Sequence, residues 1–324
     1  MKTPAFWQTN NLISTALLPA SLLYGAGAWL DRSITKPKRT ALPVIAIGNA
    51  TAGGAGKTPT TLALVPLLRA IGHTPHILTH GYRGSNLTAH RVTAADTWQH
   101  VGDEALLLAA AAPTWVGRNR LASAKAAASA GATILLCDDA LQHHALHKDI
   151  SILVIDGPYG IGNTALLPAG PLREPLAAVL ARSNAVIIIG PDAKHLATRT
   201  SLPVFPANLN PTIDTNALLN KRWLAFAGIG RPEKFFITLR DMGANLIATQ
   251  TFADHQAYSN TDISQLIAES KKHDAQLITT TKDAVKIPAV LQPNITVLPV
   301  ELTFENPASM SQFLTQTMAL KPTS

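Results

Sequence analysis

The stretch GNATAGGAGKTPT, Gly48 to Thr60, carries the clearest chemistry in the chain. Gly53, Gly54 and Gly56 let the backbone turn tightly enough for successive N–H groups to face phosphate oxygens. Lys57 follows at the spacing that reaches the β- and γ-phosphates of a nucleotide, and Thr58 supplies a hydroxyl suited to Mg²⁺. A plain glycine-rich turn would leave this Lys-Thr pair unexplained. The expected cradle is Thr51, Ala52, Gly53, Gly54, Ala55, Gly56, Lys57 and Thr58, with ATP and Mg²⁺ as its ligands. The usual pattern has a glycine five residues before Gly56, where this chain has Thr51.

Carboxylates supply the second set of candidates. TILLCDDALQHH places Asp138 and Asp139 at the end of an apolar run. The C-terminal end of such a strand is where a carboxylate helps hold Mg²⁺ beside a phosphate loop. A pair of solvated acids is the plainer alternative. His143, His144 and His147 follow, but Mg²⁺ prefers oxygen ligands, so only His143 is kept as a site candidate. VGDEALLL sets Asp103 and Glu104 at a helix start, where Asp103 either caps the helix or accepts a proton from an attacking hydroxyl. His255, in FADH, is a lone histidine and carries no signal by itself.

These residues need a scaffold, and the surrounding pattern describes one. PVIAIG (43–48), HILT, TWVG, TILLCD, ISILVID and AVIIIG are short apolar runs, and Lys57 to Ala70, EALLLAAAA and LASAKAAASA read as helices. Nearly continuous apolar strands alternating with helices imply a parallel sheet covered on both faces. A Pro- and Asn-rich patch at 203–211 reads as a linker. A second alternation begins at RWLAFAGIG. The expected organisation is an α/β, P-loop NTPase-like domain over 1–218 and a smaller α/β domain over 219–324, including a C-terminal helix.

The chain has 324 residues, 47% of them hydrophobic, which is ample for a core of this kind. Its single cysteine, Cys137, excludes an internal disulfide and reads as a buried thiol in a reducing compartment. A net charge of +7 points to acidic partners: phosphate-bearing substrates, an anionic membrane or nucleic acid. No basic stretch interleaved with aromatics, zinc-ligand spacing or helix-turn-helix pattern stands out, so no nucleic-acid partner is expected. Nothing points to an obligate protein partner.

No charged residue occurs between Lys2 and Asp31. Leu12 to Leu30 is long enough to cross a bilayer but is diluted by Pro19, Ser, Thr and Gly. Trp7, Tyr24 and Trp29 suit an interfacial depth, and Arg32, Lys36, Lys38 and Arg39 form a basic collar for anionic headgroups. A cleaved signal peptide and a packed helix hairpin are the alternatives. An interfacial segment within about 1–40 accounts for the aromatics and the cations together.

Taken together, several blocks resemble the tetraacyldisaccharide 4'-kinase family of lipid A biosynthesis: PASLLYG, IAIGNATAGGAGKTP, GDEALLLA, DDALQHHALHKDISILVID, LLPAGPLREP, AGIGRPEKFF, TFADHQAYSNTD and TTTKDAVK. The resemblance runs from Trp7 to about Lys286. The resemblance implies two α/β/α domains with a cleft between them. It also implies transfer of the ATP γ-phosphate to the 4'-hydroxyl of a tetraacyldisaccharide 1-phosphate, at the cytoplasmic face of the inner membrane. By motif, it makes Lys57 and Thr58 phosphate and Mg²⁺ residues, and Asp138 and Asp139 the acidic pair. Asp103 and His255 become the catalytic pair, with Arg120 and Glu174 as further active-site residues. Three positions depart from the family pattern: Ala140 replaces a glycine, His80 an arginine and Thr281 a glutamate. The phosphate loop is also similar to that of partitioning-type ATPases, with Ala52 in place of their signature lysine. The rival readings are a membrane-associated ATPase switch with no lipid acceptor, and a nucleotide-binding scaffold with no turnover.

Overall fold

The computed structural model describes residues 4–86 and 88–320. The chain forms two units, Pro4–Leu209 joined by the segment from Leu302 onward, and Asn210–Glu301.

The larger unit opens with helix α1 (Leu12–Ile34). Asn11 starts it with a reciprocal cap: its side chain accepts from Ser14 N at 3.0 Å, and Ser14 Oγ accepts from Asn11 N at 2.9 Å. Only Ser14 and Ser21 of α1 are buried, while Leu12, Leu22, Leu23 and Ile34 are exposed. The segment is therefore one exposed apolar helix and not a packed hairpin. It is the one helix among the described residues long and apolar enough to cross a membrane. The basic collar is partly engaged within the fold: Arg32 Nη1 lies 3.9 Å from Glu174 Oε2, and Arg39 Nη1 lies 3.7 Å from Asp149 Oδ1. Trp7 is likewise anchored, its Nε1 donating to Pro168 O at 2.9 Å.

The alternation then runs β1 (Val44–Gly48), α2 (Lys57–Ala70), β2 (Pro75–Thr79), β3 (His90–Arg91), α3 (Trp98–Val101), α4 (Asp103–Ala109), β4 (Thr114–Val116), α5 (Arg120–Ser129), β5 (Ile134–Cys137), β6 (Ile150–Asp156), α6 (Leu176–Leu180), β7 (Ala185–Ile189) and β8 (Val204–Pro211). The smaller unit continues with β9 (Arg222–Ala227), α7 (Pro232–Asp241), β10 (Asn245–Thr251), α8 (Asn260–Lys272), β11 (Gln276–Thr280), α9 (Thr281–Ala284) and β12 (Ile295–Leu298). Strand β13 (Val300–Phe304) and helix α10 (Pro307–Ala319) end the chain.

The large sheet has the order β13-β8-β7-β6-β1-β5-β2-β4-β3. From β8 to β4 every neighbouring pair is parallel, and β3 joins β4 antiparallel. Strand β1 lies between β5 and β6, so the strand order reverses there, and ligands of open parallel sheets bind at the C-terminal ends beside such a switch. The five residues of β1 are all buried, because both faces are covered. Val44 and Ala46 face one apolar cluster, with Leu135, Leu153 and Val186. Ile45 and Ile47 face the other, with Leu64 and Leu68 of α2.

Two sequence expectations change here. The patch at 203–211 is a strand and not a linker. Its prolines remove N–H donors but keep carbonyls, and Pro206 O accepts from Glu305 N at 3.0 Å. The C-terminal helix belongs with the larger unit rather than the smaller one. Met310 and Leu314, one turn apart, bury fully in the same cluster as Leu64 and Leu68. At about 2 kcal/mol for each such side chain, this contact fixes where α10 packs.

In the smaller unit, β10-β9-β11-β12 are all parallel. Strand β9 alternates: Trp223, Ala225 and Ala227 pack with Phe235, Phe236 and Leu239 of α7, whereas Leu224 and Phe226 pack with Tyr258, Ile263 and Leu266. Thr212 N donates to Pro299 O at 3.0 Å, so the two ends of this unit are adjacent.

Candidate active site

The loop after β1 is built around two left-handed glycines. Gly53 has φ 106°, and Gly56, at φ 88°, is the N-cap of α2. A Cβ on Gly56 would run into Ile189 Cδ1. Buried Asn49 holds the loop from inside, its Nδ2 donating to Thr51 O at 2.6 Å and to Gly53 O at 3.3 Å. The segment 171–173 braces the outside. Ala52 N donates to Pro171 O at 2.7 Å, Arg173 N donates to Ala50 O at 2.8 Å, and Thr51 bridges Leu172 antiparallel. Thr51, the departure from the usual glycine, is thus a buried backbone partner with no need of a positive φ.

The first turn of α2 meets the end of β5. Thr58 Oγ1 donates to Asp138 Oδ2 at 3.1 Å, and Thr61 Oγ1 donates to Oδ1 at 2.9 Å. Asp138 is almost wholly buried, and burial, aided by the charges of Glu104 and Asp139, pushes its carboxyl up to about 6. Asp139 adopts φ 47° and takes Lys57 Nζ at 3.6 Å and Arg173 Nη1 at 3.3 Å. Burial alone would raise the Asp139 carboxyl, but Lys57, Arg173 and Arg120 outweigh it and hold it below the ordinary carboxylate value. Thr58, Asp138 and Asp139 together present hydroxyl and carboxylate oxygens, the donor set Mg²⁺ prefers. Ala140, in place of the family glycine, needs no special backbone freedom. The left-handed residue is Asp139, while Ala140 packs in the core and its N–H donates to Ile47 O at 2.9 Å.

Asp103 is buried at the first position of α4, with its Oδ1 accepting from Glu104 N at 2.9 Å. The preceding Gly102 (φ 88°) is required, since a Cβ would lie 2.8 Å from Tyr82 O. Arg120 is buried at the start of α5 and clamps two strand ends, donating from Nη1 to Leu78 O at 3.1 Å and from Nη2 to Asp138 O at 3.2 Å. It therefore positions the acidic pair through the backbone. His143 Nδ1 is buried without a hydrogen-bond partner, and burial with the nearby Arg120 charge pushes the ring down to about 4, so it is neutral. Glu174 is buried and receives Arg182 Nη2 and, at longer range, Arg32 of α1. Cys137 is fully buried in β5, and burial pushes its thiol up to about 11, as expected of an inert thiol.

His255 lies in the smaller unit, at φ 56°, with Lys282 Nζ 3.2 Å from its Nε2 and Asp254 Oδ1 at 3.8 Å. Beside it is a buried hub. Asp283 accepts from Gly228 N at 3.0 Å, Tyr258 OH at 2.9 Å and Thr280 Oγ1 at 2.8 Å, and pairs with Lys286 Nζ at 2.8 Å. This network ties together AGIG, FADHQAY and TTTKDAVK, which the sequence shows only as separate blocks.

The sequence also passes over Arg173, Thr61 and Asn49. Arg173 stands next to the selected Glu174, and Thr61 lies one helical turn beyond Lys57. Each becomes a candidate only when a strand end is brought to it.

A phosphate loop at the reversal point of a parallel sheet, with a carboxylate from the adjacent strand on its threonine, defines a P-loop nucleotide-binding protein. The model of the family described as tetraacyldisaccharide-1-P 4'-kinase, LpxK, matches residues 13–319, and the chain belongs to that family. Proteins named tetraacyldisaccharide 4'-kinase are similar along almost the whole chain. That of Paramagnetospirillum magneticum is 42% identical over 315 residues, covering 96% of this chain and 97% of the relative. That of Methylobacterium nodulans is 47% identical over 320 residues, covering 95% and 93%. The crystal structure of LpxK from Aquifex aeolicus in complex with ATP matches with a TM-score of 0.78 at 24% identity, covering 94% of this chain and 99% of that one. The likeness in fold extends into both units.

Proposed function

We propose that this protein transfers the γ-phosphoryl group of ATP to the 4'-hydroxyl of a tetraacyldisaccharide 1-phosphate lipid, at the cytoplasmic face of the inner membrane. One observation carries this reading. Lys57, Thr58, Asp138 and Asp139 converge at one loop, in a chain that aligns nearly end to end with relatives named for that reaction. Thr58, Asp138 and Asp139 would hold Mg²⁺, which when bound offsets negative charge on the phosphates. Lys57 lies 3.6 Å from Asp139 and supplies a cation for the charge that develops as the β–γ bridging bond breaks. Asp103 accepts the proton of the sugar hydroxyl as its oxygen bonds to phosphorus. His255 is the second proposed catalytic residue. The exposed leucines of α1, next to exposed Lys36 and Lys38, suit an interfacial location from which a lipid headgroup is reached.

The test is incubation of the purified protein with γ-labelled ATP and the tetraacyldisaccharide 1-phosphate, followed by separation of lipid and aqueous products. Label in a bisphosphorylated lipid supports the proposal. Release of phosphate with no labelled lipid would instead identify an ATPase switch. Asp103→Ala and His255→Ala, each assayed alone, should lower transfer by roughly 10²- to 10⁴-fold.

A further inference from the structure

Three side chains that phosphoryl transfer leaves unused converge around α3. His90 stands on β3, Asp96 in the turn that follows, and His100 on α3. His90 Nε2 lies 2.9 Å from Asp96 Oδ2, and His100 Nδ1 lies 2.6 Å from Asp96 Oδ1. The two rings are 5.1 Å apart between centroids. One donor atom from each residue falls within 4.8 Å of the others. The turn is fixed before any ligand arrives: Thr93 N and Oγ1 donate to Asp96 Oδ2 at 2.8 and 3.0 Å, and Asn86 N donates to His100 O at 3.0 Å. The Asp96 side chain is 7% exposed, whereas those of His90 and His100 are 33% and 44% exposed, so solvent reaches the imidazole side.

We propose that His90, Asp96 and His100 form a binding site for a divalent transition cation of the Zn²⁺ class, separate from the phosphate loop. Two imidazoles and one carboxylate are a borderline donor set, which selects Zn²⁺, Co²⁺ or Ni²⁺ over Mg²⁺. In the metal-free protein each imidazole N–H donates to the single carboxylate. When a cation binds, each neutral ring carries its proton on the other nitrogen instead, so that His90 Nε2 and His100 Nδ1 offer lone pairs beside a carboxylate oxygen of Asp96. Three protein ligands leave one tetrahedral position for water, and the exposed imidazole side supplies it. The site also touches the proposed reaction. Gly102 N donates to Trp98 O at 2.8 Å, so α3 runs without slack into Asp103, and a cation on His100 would stiffen that approach.

The experiment uses the full chain with Mg²⁺ in excess, so that oxygen sites are filled, and Co²⁺ as a spectroscopic probe. The expected result is a visible d–d band that saturates at one Co²⁺ per chain and is displaced by Zn²⁺. Zn²⁺ should also raise the melting temperature through preferential binding to the folded state. His90→Gln and His100→Gln should each weaken Co²⁺ binding by at least the roughly 10- to 100-fold that loss of even an outer-shell partner brings. His147→Gln, outside the cluster, should leave it unchanged. Absence of the band, or a band that survives in the folded His90→Gln/His100→Gln double variant, would overturn the proposal. If that double variant fails to fold, His100→Gln alone decides, since its side chain is the most exposed of the three.

Discussion

Thr58 and Asp138, 80 residues apart in the chain, meet through a hydrogen bond of 3.1 Å that joins the first turn of α2 to the end of β5. Thr61 takes the other oxygen of the same carboxylate at 2.9 Å. The nucleotide loop and the acidic pair are therefore joined through the Asp138 carboxylate.

Burial, with Glu104 and Asp139 nearby, raises the Asp138 carboxyl from 3.8 to about 6. If Asp138 is a Mg²⁺ ligand as proposed, its protonation below about 6 removes that ligand. The Mg²⁺ concentration needed for half-maximal activity should therefore climb as pH falls through that value. Stability of the metal-free protein should move the other way. The folded state binds this proton more tightly than the unfolded chain, so the contribution of Asp138 is full below 3.8 and is lost as pH rises through about 6. Urea midpoints across that window, compared between the protein and Asp138→Asn, check the sign.

Lys57→Ala should abolish nearly all transfer while the urea midpoint changes little. Lys57 pairs with an Asp139 side chain that is about one-third exposed, so the pair contributes little to folding. Near-native turnover in the folded variant would remove the phosphate-loop assignment.

Asp283→Ala should destabilise the smaller unit by about 3–5 kcal/mol, because it strands the buried Lys286 cation and three further donors. Asp283→Ala with Lys286→Met should recover much of the loss. Equilibrium unfolding followed by fluorescence, in a background where Trp7, Trp29, Trp98 and Trp115 are replaced by Phe so that only Trp223 of that unit emits, reports it.

The proposed membrane contact of α1 is tested by surface substitution rather than truncation. Ser21 Oγ donates to Leu166 O at 2.8 Å and accepts from Ala169 N at 3.0 Å, so deleting α1 would also disturb the stretch that leads into the 171–173 brace, which Leu167 N joins by donating to Leu172 O at 2.8 Å. Leu22→Glu with Leu23→Glu, at side chains 74% and 77% exposed, spares those bonds. The double variant should lose sedimentation with anionic vesicles and most transfer to the long-chain lipid, while retaining transfer to a short-chain soluble analogue. Unchanged sedimentation would show that α1 is not the membrane contact.

Much of this arrangement is legible in the sequence, because its signals are local. The apolar runs, the glycines of the loop and the Lys-Thr pair all lie within a few residues of one another, and periodicity reports them well. What stays hidden depends on distant partners. Asp96 is an ordinary turn residue until β3 and α3 bring His90 and His100 to it. Asp283 gathers its donors from three separate blocks. The strand at 204–211 escapes because its prolines and asparagines read as breakers, although a strand near a sheet edge tolerates them. The placement of α10 escapes because an amphipathic helix does not declare which core it covers. Only the burial of Met310 and Leu314 beside Leu64 does so.

Strands β8 and β13 are neighbours, with Pro206 meeting Glu305 and, just beyond, Thr212 meeting Pro299. The two run in opposite directions, so the pair is a hairpin whose turn has grown into a folded unit. Were that unit disordered, bringing its ends together in place of a short turn would cost about 2–3 kcal/mol of chain entropy. Once it has folded with Thr212 and Pro299 already bonded, it behaves as a tight turn and the penalty disappears. A substitution that melts the smaller unit should therefore bring that entropy cost back and loosen the pairing of β13 with β8.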